Sequence, residues 1–184
     1  MALRIKSHWQ NEDIDRSLAE IGGALAFIAF RIGTDKAITL HCERFVYRDD
    51  AQRMLVIQEY LVFLIQIADR LAHGRLSDDE RRELITAMAR KGVEHVQDNS
   101  QDLLGPGDYG SPFIERLNER SGEYAEFNLD DEGPSYSFLR HLGFEIQQLM
   151  GEQDENRWVI DQVMDKDGWD AYKRFAKAFR DLFE

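Results

Sequence analysis

One cysteine, Cys42, stands in 184 residues, so no disulfide forms within the chain, and no second thiol lies at metal-ligand spacing from it. A reducing, cytoplasmic setting is the expectation. Proline is almost as scarce: Pro106, Pro112 and Pro134 are the only three, which leaves long stretches on either side free of the strongest helix breaker. Unbroken apolar runs are missing too. The first residues lack the hydrophobic core of a secretion signal, and the two most apolar stretches, 21–30 and 54–68, are either short or interrupted by Gln58, Glu59 and Gln66. Neither a leader nor a membrane span is expected. Positive charge is in deficit, 23 Lys and Arg against 35 Asp and Glu for a net -12, which opposes the phosphate attraction behind most nucleic-acid affinity. Nucleic acid and membrane are therefore not expected partners.

Several catalytic signatures are also missing. No phosphate loop ends in Gly-Lys-Ser or Gly-Lys-Thr, no Gly-x-Ser-x-Gly elbow occurs, and no His-Glu-x-x-His is found. Catalytic residues stay unknown, and no cofactor is predicted.

What is present reads as helix. Residues 51–73 are apolar around most of a helical wheel, with Met54, Leu55, Ile57, Tyr60, Leu61, Leu64, Ile65 and Leu71 covering much of it. A thin polar stripe, Gln52, Glu59, Gln66 and His73, recurs every seventh residue. Such a segment belongs at the centre of a bundle, with Gly74 ending it in a left-handed conformation. Ser77-Asp78-Asp79-Glu80 has the spacing of a capping box and starts the next helix, over 77–97, with a break expected near Asp98-Asn99-Ser100.

Before the central helix, Ile14, Leu18, Ile21, Leu25, Ile28 and Ile32 predict a helix over 12–32, in which Gly22, Gly23 and Ala26 permit close approach of a neighbour. Gly33-Thr34 reads as a stop, and a separate helix is expected over 35–47. Downstream, Gly105 to Ser111 is the clearest loop, with Ser111 as cap and Pro112 at the first helical position. Helices follow over 112–127, 134–150, 154–164 and 169–183, the last two separated by Asp165-Lys166-Asp167-Gly168 with Asp167 as cap. The prediction is an all-α, multi-helix bundle of roughly six to eight helices in one domain, 1–184, with 105–111 as the only candidate subdomain boundary.

Candidate chemistry is sparse. A buried Glu59 would be a desolvated carboxylate held by a cation or metal, but the stripe reads more simply as a sliver of solvent exposure, because buried acids are costly. Asp69 with His73 and His141 with Glu145 each share a helix face at the four-residue spacing. Brought together, they would suit a divalent metal; taken separately, they are ordinary intrahelical pairs, which is the expected case. Glu59, Asp69, His73, His141 and Glu145 are thus the residues to watch for a metal-dependent or small-ligand enzyme. His41-Cys42-Glu43 reads as a buried structural thiol rather than a nucleophile, since sequence neighbours do not share a helix face.

In the last helix Trp169, Tyr172, Phe175, Phe179 and Phe183 form an aromatic face that closes its own core or, failing that, packs on a protein partner or a second copy. The leading functional expectation is a helical regulator or accessory factor acting through protein contacts. The alternatives are the enzyme just described and a carrier for an apolar ligand with a cavity beside Tyr60 and Phe63.

Overall fold

The computed structural model describes residues 16–151 and 155–183. Helix α1, Leu18–Cys42, starts where the Ser17 hydroxyl accepts from the Glu20 amide while the Glu20 carboxylate accepts from the Ser17 amide. The predicted start at Glu12 lies outside the described residues. α1 does not stop at Gly33. A Cβ there would come within 3.0 Å of the Ile57 carbonyl oxygen, so the glycine serves close helix approach rather than termination. The expected separate helix over 35–47 is the second half of α1. It ends at Cys42, and the chain turns through Arg44 at φ 75.

Helix α2, Asp50–Ala72, is capped by Asp49 and is enclosed from Val56 to Ala68. His73 caps its end, and Gly74 follows at φ 81 as the sequence suggests. Helix α3, Asp78–Leu104, carries the expected Ser77–Glu80 box and turns Leu84, Met88, Gly92 and Val96 inward. It runs past the predicted break at 98–100 to Gly105, whose φ of 96 ends it. α1 lies against both α2 and α3, and Gly22 sets the second approach: a Cβ there would stand 2.8 Å from the Leu84 carbonyl oxygen.

Helix α4, Gly110–Tyr124, is not capped by Ser111. Asp108 and the Gln97 side chain on α3 do that work: Asp108 Oδ1 accepts from the Ser111 amide at 3.0 Å, and Gln97 Oε1 accepts from the amides of Tyr109 and Gly110 at 2.8 and 2.9 Å. A two-residue ladder follows, β1 Leu129–Asp130 antiparallel to β2 Gly133–Pro134, with Leu129 opposite Pro134. Helix α5, Tyr136–Met150, is capped by Ser135. Helix α6, Val159–Gln162, then passes without a break into a π-helical turn, Val163–Asp167, and on into α7, Gly168–Phe183.

The predicted interhelix turn at 165–168 is therefore continuous helix. Asp167 is buried beside Lys36 instead of capping. α7 packs on α1 and α2 through Phe175 and Phe179, both buried, with Trp169, Tyr172 and Phe183 packed at the core's margin. The architecture is an all-α bundle organised around α2. No helix among the described residues is long and apolar enough to cross a membrane.

Candidate functional site

The polar stripe of α2 faces inward, contrary to the solvent-exposed sliver expected from the cost of burying an acid. Gln52, Glu59 and Gln66 are buried, and only His73, beyond the last turn, is exposed. Each buried member has a partner that offsets its desolvation. Gln52 accepts from the Arg48 amide at 2.6 Å and donates to the Leu149 carbonyl at 2.7 Å. Gln66 donates to the Ser121 hydroxyl at 2.8 Å. Below it, Arg70 donates to the Tyr124 carbonyl at 2.6 Å.

Glu59, at 0% exposure, is held by two arginines of α4. Arg116 Nη1 donates to Glu59 Oε1 at 2.6 Å, and Arg120 Nε donates to Oε2 at 3.2 Å. Arg120 then reaches outward: Nη1 donates to Glu123 Oε2 at 2.9 Å and Nη2 donates to Glu145 Oε2. His141 closes the chain of contacts, its Nε2 lying 3.0 Å from Glu123 Oε2. A guanidinium presents several donors in one plane, which is how a single arginine serves three carboxylates at once.

Burial opposes the Arg120 charge, but Glu59, Glu145 and Glu123 outweigh it and hold the guanidinium above its ordinary range. Burial pushes the Glu145 carboxyl up, with Arg120 pulling against it. The Tyr124 hydroxyl is pushed far up, first by burial and then by the carboxylates of Glu59, Glu145 and Glu123 around it.

This arrangement sorts the residues singled out in the sequence. Glu59, His141 and Glu145 come together, joined by Arg116, Arg120 and Glu123. Asp69 does not join them: it pairs with Arg81 at 3.6 Å and Arg70 at 3.7 Å, and His73 is exposed. Arg116, Arg120 and Glu123 were legible as a stripe of α4 at spacings of four and three, but nothing local in the sequence pairs that stripe with Glu59. Cys42 is exposed, not the buried thiol expected, because α1 ends there at the surface.

Chemically, Glu59 is committed, with both of its oxygens engaged by arginine. Glu123, His141 and Glu145 form an outer layer, with one ligand atom from each lying within 4.8 Å of the others. A second buried ion pair lies at the π turn, where Lys36 Nζ stands 3.4 Å from Asp167 and 2.6 Å from Asp170. The loop between α3 and α4 spells Gly-x-Gly-x-x-Gly at Gly105, Gly107 and Gly110. It follows a helix, whereas a dinucleotide-binding loop follows a strand, so the pattern carries no nucleotide reading here.

A different surface feature lies at one end of the bundle. Asn156 bonds both the amide and the carbonyl of Val46 and also the Met150 carbonyl, while Gln147 donates to the Arg157 carbonyl. On the segments these bonds join, Trp158 stands 64% exposed, Val46 51% and Phe144, one turn before Gln147, 40%. Comparison with protein-family models, with curated proteins and with solved structures finds no match to this chain.

Proposed function

We propose that this chain acts through contact with another protein, as a regulator or accessory factor, and that the contact is made at the Trp158 end of the bundle. The observation that carries the reading is Trp158 itself. A tryptophan leaving most of its large apolar face to solvent is the kind of residue that dominates binding at protein interfaces, and its segment is tied through Asn156 to the exposed Val46 and through Arg157 to Gln147, one turn past the exposed Phe144 on α5. The terminal helix is less suited to the role, because Phe175 and Phe179 lie in the chain's own core. The buried charged cluster fits the same reading as a rigid support: Glu59 and Arg120 tie α2, α4 and α5 together and fix the frame on which the end surface sits.

The test is a photo-reactive residue at position 158, irradiated in the cells that make the protein, with position 82, exposed on α3, as control. One dominant adduct at 158 and none at 82 is expected, and Phe144→Asp should remove it. An adduct of twice the chain mass would identify a second copy as the partner. A strictly monomeric chain with no adduct at 158 above control would overturn the proposal.

A further inference from the structure

We propose that Glu123, His141 and Glu145 form a binding site for a divalent first-row transition metal of the zinc class, a property independent of the protein-contact reading. Three ligand atoms, one per residue, lie within 4.8 Å of one another. Donors held at about 2.0–2.2 Å around a tetrahedral ion stand roughly 3.4 Å apart, so closing the site asks for side-chain movement on the order of 1 Å. Two of the residues are one turn apart on α5, and the third comes from the end of α4, which gives the site a backbone frame on two elements. The imidazole suits zinc, cobalt or nickel; calcium and magnesium prefer an all-oxygen shell.

Charge and lone pairs agree with the geometry. Glu59, Glu123 and Glu145 set three carboxylates against the two guanidiniums of Arg116 and Arg120, and Glu119 adds a fourth carboxylate 3.8 Å from Arg120. The cluster is short of positive charge. Arg120 and His141 use only Oε2 of Glu123 and of Glu145; among the described residues no hydrogen bond takes either Oε1. Arg120 therefore need not leave. It stands as the outer donor that orients two ligating carboxylates, with Glu59 beneath it, as partners behind metal ligands commonly do.

A separate observation points to the same place. The Tyr124 hydroxyl is fully buried and has no hydrogen-bond partner among the described residues. Its ring meets His141 edge-on with centroids 4.8 Å apart, so the side chain is packed on one of the proposed ligands. A buried donor left unpaired is uncommon in a folded chain.

The test uses the untagged full chain, stripped with chelator and titrated with zinc by calorimetry and with cobalt by visible spectroscopy. One equivalent of each metal is expected, the cobalt form showing the intense ligand-field bands of a four-coordinate site. Zinc should raise the melting temperature of the wild type. His141→Ala should weaken binding by more than the roughly 10–100-fold that loss of an outer partner costs, while His95→Ala, on α3, leaves it unchanged. Glu123→Gln lies nearer the surface and gives a second readout should His141→Ala misfold: retained helicity with lost cobalt bands is expected. No saturable binding to the wild type, or binding that survives Glu123→Gln and His141→Ala alike, would overturn the proposal.

Discussion

Glu59 shows what one residue demands of its surroundings. A carboxylate at 0% exposure is tolerated because two guanidiniums supply both charge and hydrogen bonds. Removing it strands those cations: Glu59→Ala is expected to lower the unfolding free energy by about 3–5 kcal/mol, measured in urea, because Arg120 is left buried without its deepest partner. Glu59→Gln, which keeps an acceptor for one arginine, should cost less. The spacing of Gln52, Glu59 and Gln66 was plain in the sequence, but their burial was not. The arginines that make it possible lie 57 and 61 residues further along, and pattern within one helix carries no information about a partner that distant. The same holds for His141 and Glu145, an ordinary couple in isolation until Glu123 and Arg120 are placed beside them.

At the scale of elements, local chemistry was legible wherever it is self-contained. The Ser77–Glu80 box and Gly74 mark real helix ends, because cap and partner sit within four residues of each other. Gly33 misleads for the opposite reason: its missing side chain answers to α2, not to its own helix. Ser111 looks like a cap too, but Asp108 takes that place three residues earlier, and Gln97 reaches across from α3 to hold the two amides between them.

The glycine pair at 22 and 23 separates the two roles in a single experiment. A Cβ at Gly22 would stand 2.8 Å from both the Leu84 carbonyl oxygen and the Ala87 Cβ, whereas at Gly23 the nearest atom is a flexible Lys91 carbon at 3.6 Å. Gly22→Ala is therefore expected to destabilise by about 1–3 kcal/mol through overpacking, despite the better helix former. Gly23→Ala should instead be neutral or stabilising by up to about 1 kcal/mol. Thermal denaturation of the two variants side by side checks this, and equal effects would mean that α1 and α3 are less closely apposed than described.

For the whole molecule, the enclosed rod inferred from hydrophobic patterning is present, and the other helices are arranged by what it needs covered. α1, α3, α4, α5 and α7 each lie against it. Amino-acid pattern carries that much because burial on all sides leaves few polar positions to place. It did not carry the path of the chain after α5, where α6, the π turn and α7 run as one piece past a buried Lys36–Asp167 pair. Enclosure also has a dynamic consequence. No partial opening can bring the middle of α2 to water without lifting several neighbours at once, so its peptide hydrogens have no private route to deuterium. Those from Tyr60 to Ile65 should exchange last, at the rate of global unfolding, while the final turn of α7 exchanges early. Mass spectrometry of a deuterated sample would then report the stability of the entire chain from that one short segment.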